Sequence, residues 1–299
     1  MFDLVPELTP KLISRLDHLR LRTKREYAGM GRGSHLSPRR GSSLEFSDFR
    51  PYALGDDFRY IDWGLYARTD KFYVKLFKEE ESLLTYIFID DSASMAHPAA
   101  DNKFRAALAI ALALAYVVLS EGDRVMLRML SGRVVPAAAG FVQGRSRVAD
   151  LARALVGVKP AGALDLAAEL ARELISIKRA GKVFVISDFL MLFNSIRRGL
   201  GLFAAANMDV SAIQVLGASE LKAQGIIGQA ELVDAETGER LRLSVGENER
   251  ARYRETLLRL AREIRAVCLK QGMRYALYNT GDSFEDFFLK AAVHLDLVH

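Results

Sequence analysis

Two aspartates and two serines follow runs of apolar residues that are typical of buried strands. In TYIFIDDSASM, residues 85–95, the pattern Asp-x-Ser-x-Ser falls on Asp90, Ser92 and Ser94. Asp188 follows a similar apolar run in VFVISDFL. Carboxylate and hydroxyl oxygens are hard ligands that suit Mg²⁺ or Mn²⁺, and the sequence has no Cys/His cluster that indicates zinc. These four side chains are the candidate metal ligands if the fold brings them together.

Both runs belong to an alternation of strands and helices that begins near residue 81. LLTYIFID, DRVMLRML, KVFVISD, DVSAIQVL and MRYALYN are predicted strands, and helices are predicted at 101–119, 145–156, 164–177, 195–206, 249–270 and 283–294. Apolar strands separated by helices indicate a parallel sheet covered on both faces, whose ligands bind outside the carboxyl ends of the strands. We expect an open, doubly wound α/β domain over residues 81–299, with Asp90 and Asp188 at neighbouring strand ends.

Three segments lie outside this alternation. QAELVDAETGERLRLSV has two alternating runs around Glu236, Thr237 and Gly238, which predict a β-hairpin insertion at about residues 226–246. An amphipathic helix is predicted from Thr9 to Arg25, with Pro10 at its first position. Residues 44–78 are rich in aromatic and charged residues, have few helix signals and contain the predicted strand KFYVKLFK. We expect residues 1–80 to form a helix, a basic loop and an extra β layer packed on the α/β domain.

Composition indicates a globular chain. Half of the 299 residues are hydrophobic, which is enough to bury a sizeable core. The longest apolar run, residues 106–119, is shorter than the roughly 18–20 residues of a membrane span, and no leader pattern is seen at the N-terminus. We therefore expect a cytoplasmic protein without a membrane span, in which the single cysteine, Cys268, is a buried thiol.

Positive charge is concentrated near the N-terminus. Residues 11–40 contain nine Lys or Arg and two acidic residues, a local net charge of +7 in a chain of net charge +5. Such a segment attracts nucleic acid, anionic lipid or an acidic protein surface. A solvated helix face followed by a loop is the structural alternative.

The segment GDDFRYIDW combines charges with aromatic rings. The acidic and basic residues alternate with Phe58, Tyr60 and Trp63. One interpretation is a structural brace, in which the charges pair and the rings, Trp63 among them, are buried. The alternative is a partner-binding surface.

The sequence resembles the von Willebrand factor A fold and its metal-ion-dependent adhesion site, in which Asp-x-Ser-x-Ser follows the first strand and a late aspartate follows another. Residues 41–95 are similar to the bacterial family of unknown function numbered fifty-eight, which accompanies MoxR-type AAA+ ATPases. The similarity is carried by GSSLEF, RPYALGDDFRYIDW, Ala67, Arg68, Val74, Lys75 and DDSASM, and more weakly by residues 186–189 and DAETGE.

The resemblance implies a ligand set for Mg²⁺ or Mn²⁺. Ser92 and Ser94 would bind the ion directly, and Asp90 and Asp188 directly or through water. Such sites usually take a threonine from an intervening loop, but Leu164 occupies that place in PAGALDLAAEL and cannot coordinate a cation. The site is therefore weakened, completed by water, or kept only as a hydrogen-bonded scaffold.

The resemblance also implies a function. We expect a non-enzymatic protein-binding module that works with a MoxR-type ATPase in protein maturation or remodelling, and whose metal accepts an acidic side chain of a partner. One alternative is a phosphotransferase of the haloacid-dehalogenase type with Asp90 as nucleophile, although that family's second aspartate would fall at Ser92. The other is nucleic-acid binding through the basic N-terminus, which would depend steeply on salt.

Overall fold

The computed structural model describes residues 5–21, 45–78, 82–133, 140–155, 157–223, 228–233, 240–295 and 297–298. Its contacts divide the chain into two compact units. The α/β unit comprises Met1–Arg25 and Leu83–His299, and the aromatic unit comprises Glu26–Ser82. The sequence predicted one N-terminal region over residues 1–80. The contacts instead group residues 1–25 with the α/β unit and leave residues 26–82 as a separate unit.

The described residues form short and long elements in the following order. The strands are β1 (Arg20–Leu21), β2 (Glu45–Pro51), β3 (Tyr73–Lys78), β4 (Leu84–Ile89), β5 (Arg124–Met129), β6 (Val142–Gln143), β7 (Lys182–Ser187), β8 (Asp209–Leu216), β9 (Gly228–Val233), β10 (Arg240–Val245), β11 (Arg274–Asn279) and β12 (Leu297–Val298). The helices are α1 (Pro10–Leu16), α2 (Trp63–Thr69), α3 (Lys103–Ser120), α4 (Arg147–Leu155), α5 (Leu166–Ser176), α6 (Phe193–Ala205), α7 (Ala218–Lys222), α8 (Glu247–Lys270) and α9 (Phe284–His294).

The centre of the α/β unit is a six-stranded sheet. Its strand order is β11-β8-β7-β4-β5-β6, and every neighbouring pair is parallel except β5 and β6. The five predicted strands of the alternation are all present in it. The structure therefore confirms the α/β class with a mostly parallel sheet. The short edge strand β6 was not predicted, because two residues carry no periodic signal.

Helices cover both faces of this sheet. One apolar core contains buried residues of α1, α3, α4 and α9, and the other contains buried residues of α5, α6 and α8. Residues 99–120 are long and apolar enough to cross a membrane by length and composition, but 83% of the most apolar window is buried inside the fold. Cys268 in α8 is buried as predicted, and burial raises the pKa of its thiol to about 12.

The first helix is shorter than its sequence pattern predicts. Thr9 caps α1, since its hydroxyl accepts a hydrogen bond from the Leu12 N–H at 3.1 Å. The helix ends at Leu16 and does not continue to Arg25 as predicted. Arg20 and Leu21 instead pair antiparallel with Val298 and Leu297. This long-range pairing competes with continued helix and cannot be read from the local pattern.

Two further predictions need correction or qualification. Asp101 does not cap α3, because Asn102 holds that position with a φ of +48° and Asp101 accepts hydrogen bonds from Ser219 instead. The two strands of the predicted hairpin, β9 and β10, pair antiparallel over six residues each. The predicted turn at Glu236, Thr237 and Gly238 lies outside the described residues.

The aromatic unit contains an antiparallel strand pair and a helix. β3 confirms the strand predicted in KFYVKLFK, and it pairs with β2. The helix α2 was not predicted; Asp62 caps it by accepting a hydrogen bond from the Leu65 N–H at 2.8 Å. Most of the basic segment and the first residues of GSSLEF lie outside the described residues.

Charges of the aromatic unit pair with one another, and several of its rings are exposed. Arg50 makes two 2.6 Å hydrogen bonds to Asp56, and ion pairs join Arg59 to Asp57 and Lys75 to Asp62. The predicted burial of Trp63 is wrong, because 60% of this residue is exposed. Among the side chains of the unit that the structure describes, the exposed large apolar ones are Tyr52, Leu54, Phe58, Trp63 and Phe72.

Candidate functional site

Asp90 and Asp188 lie at the point where the strand order of the sheet reverses. They follow β4 and β7, which are adjacent and parallel with Ile89 opposite Ile186. The Asp90 N–H donates to the Ile186 carbonyl at 2.9 Å. From β4 the chain continues to β5 on one side, whereas β7, β8 and β11 lie on the other. Loops diverge at such a switch point and leave a crevice for ligands. The predicted placement of the two aspartates at neighbouring strand ends is confirmed.

The Asp90 carboxylate is buried and engaged on both oxygens. Its Oδ1 accepts from the Ser92 N–H at 2.8 Å, and its Oδ2 accepts from the Ser187 hydroxyl at 2.5 Å. Burial, and secondarily the negative charge of Asp188, raise the pKa of Asp90 to about 7. The side chain therefore changes its protonation state near neutral pH, although an isolated aspartate would be ionised there.

The two serines of the motif lie side by side in a short 3₁₀ turn. The hydroxyl oxygens of Ser92 and Ser94 are 3.1 Å apart; Ser92 is buried and Ser94 is partly exposed. The turn is tied to a second loop, because the Ala93 N–H donates to the Gly162 carbonyl and the Ala161 N–H donates to the Asp91 carbonyl, both at 2.8 Å. Backbone hydrogen bonds thus hold the Asp-x-Ser-x-Ser loop against the loop that leads to Leu164.

Asp91, which follows Asp90 in the same loop, binds the loop after β5. Asp91 accepts from the Ser131 N–H at 2.9 Å and from the Ser131 hydroxyl at 2.6 Å. Since Ser131 follows β5 and Asp91 follows β4, this pair fastens the carboxyl ends of two adjacent strands together.

A buried lysine that sequence reasoning missed completes the cluster. The Lys103 ammonium donates to Asp188 Oδ2 at 2.8 Å and to Glu220 Oε1 at 2.6 Å. All three side chains are buried. Burial disfavours the charged ammonium, but the carboxylates of Asp188 and Glu220 outweigh it and raise the pKa of Lys103 above its usual range. The two carboxylates therefore favour the charged form of Lys103 inside the site.

The sequence does contain a signal for Lys103. It is the first residue of α3, whose first turn has no acidic residue. A cation at a helix N-terminus is unfavourable, because the backbone N–H groups give that end a partial positive charge. A lysine placed there, ahead of a long apolar helix, needs nearby carboxylates. Glu220 had no comparable signal, since it lies in the five-residue helix α7.

Leu164 occupies an apolar environment. It is 7% exposed and belongs to the core cluster that also contains Leu166, Leu170 and Phe189. The next residue, Asp165, caps α5 and accepts a 2.6 Å hydrogen bond from the Ser195 hydroxyl. The side chain at the expected threonine place is thus part of the core and has no oxygen to offer a cation.

These residues do not fit a divalent cation in this arrangement. Asp188 already neutralises the Lys103 ammonium, and Leu164 supplies no ligand. The ammonium already pairs with Asp188 and Glu220, so a divalent ion placed beside it would meet a like charge and would compete with it for the same carboxylate oxygens. The predicted Mg²⁺ or Mn²⁺ site at Asp90, Ser92, Ser94 and Asp188 stays a prediction, and Lys103 argues against it.

A groove of about 580 Å³ lies elsewhere in the α/β unit, between α5 and α6. Its lining includes Asp165, Ala168, Arg197, Arg198 and Gln271, and none of the four predicted ligands. The candidate site is therefore a cluster beneath surface loops and is distinct from this groove.

Comparison with solved structures finds distant similarity. The conserved hypothetical protein BatB from Bacteroides thetaiotaomicron is 13% identical, with a TM-score of 0.39 and coverage of 72% of this chain and 98% of that chain. An aerotolerance-related membrane protein from Bacteroides fragilis is 11% identical, with a TM-score of 0.38 and the same coverage.

Comparison of sequences finds closer similarity. The uncharacterized proteins Rv1480 of Mycobacterium tuberculosis and Mb1516 of Mycobacterium bovis are each 31% identical over 234 residues, which cover 77% of this chain and 72% of theirs. The family described as protein of unknown function DUF58 matches residues 48–265. The match includes the aromatic segment, the Asp-x-Ser-x-Ser loop and Asp188, and the chain belongs to the DUF58 family.

Proposed function

We propose that this chain is a protein-binding module of the von Willebrand factor A type that works beside a MoxR-type AAA+ ATPase in the maturation or remodelling of other proteins. The observation that carries the proposal is the Asp-x-Ser-x-Ser loop at the switch point of a mostly parallel, doubly covered sheet, with Asp188 on the adjacent loop. The proposal places the chain in the cytoplasm, where the ATP that such an ATPase uses is available.

The binding surface in this proposal is the carboxyl edge of the sheet. Beyond the buried cluster, Ser94 is partly exposed, His97 is exposed and Leu192 is 81% exposed. The cluster fixes the loops that carry them, because Asp90 accepts from the Ser92 N–H and Asp188 accepts from the Leu190 N–H at 3.0 Å. Loops held in one conformation lose less entropy on binding, which favours recognition of a partner.

A binding role suits this site better than phosphotransfer. A nucleophilic carboxylate must reach its substrate, whereas Asp90 is fully buried and both of its oxygens accept hydrogen bonds from neighbouring loops. Lys103, Asp188 and Glu220 likewise satisfy one another. The buried groups support the loops, and the exposed ones are available to a partner.

The test measures binding between the purified chain and the purified MoxR-type ATPases of the bacterium that encodes it. Leu192→Ser removes an exposed apolar side chain from the proposed surface and should weaken binding about tenfold or more, as loss of an interface hot spot does. Ile175→Ser is the matched control, because Ile175 is 88% exposed on α5, away from the strand-end loops. Absence of binding by the wild type, or equal loss in both variants, would contradict the proposal.

A further inference from the structure

We propose that Lys103 is the resident cation of this site, and that its ammonium joins the strand-end loops in place of a divalent metal. The inference concerns the chain alone and rests on the proposed function only in that it says how the partner-binding edge is held. With the Lys103 ammonium in place, neither the fold nor the site requires Mg²⁺ or Mn²⁺.

One ammonium connects three neighbouring strand ends. Lys103 begins the helix that follows β4 and the Asp-x-Ser-x-Ser loop, Asp188 follows β7, and Glu220 lies in α7 after β8. The two contacts, 2.8 Å to Asp188 and 2.6 Å to Glu220, are charge-assisted hydrogen bonds within a buried environment. A metal ion bound by loops after adjacent strands would make the same kind of connection.

Both carboxylates are arranged for this ammonium. Each gives one oxygen to Lys103 and the other to a backbone N–H: Asp188 Oδ1 accepts from Leu190 at 3.0 Å, and Glu220 Oε2 accepts from Gly217 at 2.8 Å. Neither carboxylate therefore depends on a further cation for a partner.

A second contact fixes the position of Glu220 relative to α3. Asp101, two residues before Lys103, accepts from the Ser219 N–H at 3.0 Å and from the Ser219 hydroxyl at 2.5 Å. Consecutive residues of α7 are thus bonded to Asp101 and Lys103. These two contacts hold the Glu220 carboxylate beside the Lys103 ammonium.

The resident cation also accounts for Leu164. A divalent ion needs about six oxygen ligands, so loss of a threonine hydroxyl weakens its site. An ammonium on a covalent stem needs no such ligand, and position 164 is then free to serve the apolar core. A single arrangement explains both the buried lysine and the buried leucine.

The first experiment compares thermal unfolding of the wild type in Mg²⁺, Mn²⁺ or EDTA at constant ionic strength. We expect melting temperatures that agree within about 1 °C. If the chain had a metal site, a metal concentration about a hundredfold above its Kd would raise the melting temperature by several degrees. The inference is overturned if Mn²⁺ stabilises the wild type by several degrees and Asp188→Asn abolishes that effect.

The second experiment removes the ammonium. Lys103→Ala leaves two buried carboxylates facing vacated space, so Mn²⁺ should raise the melting temperature of this variant by several degrees, and adding Asp188→Asn should abolish that gain. Lys103→Arg keeps the charge and should stay insensitive to metal. A folded Lys103→Ala protein that is as stable as the wild type, or that Mn²⁺ does not stabilise, would overturn the inference.

The inference can still be tested if Lys103→Ala fails to fold or if no ATPase binds. If Lys103→Ala does not fold, the comparison of the wild type with Asp188→Asn decides alone. If no MoxR-type ATPase binds the chain, the proposed function fails while the resident cation stands, because its readout is the stability of the chain by itself.

Discussion

The ammonium of Lys103 lies 2.8 Å from Oδ2 of Asp188, and both side chains are fully buried at the carboxyl edge of the sheet. Removing one member of such a pair leaves an uncompensated charge in a medium that solvates it poorly. Lys103→Met keeps most of the side-chain volume and removes the charge, so it should lower the free energy of unfolding by about 3–5 kcal/mol. Urea denaturation at pH 7 measures this loss.

The matched control for Lys103→Met neutralises the whole cluster. Combining it with Asp188→Asn and Glu220→Gln removes the two carboxylates that the methionine leaves unpaired. Because replacing every member of a buried ionic cluster is far less costly than removing one, the triple variant should recover much of the lost stability. A triple variant less stable than Lys103→Met would contradict this account.

Asp90 should make stability depend on pH. Its pKa is raised from 3.8 to about 7 by burial and by the charge of Asp188, so the folded state binds this proton more tightly than the unfolded state does. The resulting stabilisation is fully present below about pH 4 and is lost as the pH rises from about 4 to about 7, a change of up to about 4 kcal/mol. Denaturant titrations at pH 5, 6, 7 and 8 measure the slope contributed between pH 5 and 7.

Asp90→Asn should reduce the pH dependence, because its side chain does not titrate; part of the slope should remain, since burial also raises the pKa values of Glu173 and Glu220. Asp165→Asn is the control: hydrogen bonding from Ser195 lowers the pKa of Asp165, so its titration affects stability only below about pH 4. If Asp90→Asn and the wild type lose stability equally between pH 5 and 7, the slope does not come from Asp90.

Leu164→Thr should destabilise the fold without creating a metal site. Leu164 is 7% exposed in an apolar cluster, so a shorter, polar side chain leaves a cavity and a buried hydroxyl, at a cost of about 2–4 kcal/mol. Because Lys103 remains, calorimetry with millimolar Mn²⁺ should detect no binding to the wild type or the variant. Mn²⁺ binding to Leu164→Thr that Ser92→Ala abolishes would contradict the prediction.

Trp63→Ala should cost less stability than the loss of a buried ring. With 60% of Trp63 exposed, its removal mainly loses the edge-to-face contacts with Tyr66 and Phe72, so the free energy of unfolding of the aromatic unit should fall by about 0.5–1 kcal/mol. Val74, which is fully buried in the same unit, is the control, and Val74→Ala should cost about 1.5 kcal/mol for two methyl groups. Equal losses in thermal or urea unfolding would restore the interpretation of the segment as a brace.

The sequence predicts those features of this protein that depend on local pattern. Apolar runs locate the strands of the central sheet, and the convergence of parallel strand ends predicts that Asp90 and Asp188 are neighbours. The partners of Lys103 are 85 and 117 residues away, and no periodicity encodes such contacts. The early end of α1 likewise depends on the distant residues Leu297 and Val298. The helix α2 was missed because its aspartate cap, Asp62, lies in a segment whose aromatic and charged residues suggest extended structure.

The pairing of β1 with β12 makes the N-terminal segment dependent on residues synthesised much later. Leu8, Leu12, Leu16 and Leu19 are buried in the same core as α3. Arg20 and Leu21, however, gain their strand partners only when Leu297 and Val298 have left the ribosome. During translation α1 can pack on α3 while the strand beside it stays open. Closure of this pair therefore joins segments that lie far apart in the sequence, a contact of high contact order that forms only after Leu297 and Val298 are made.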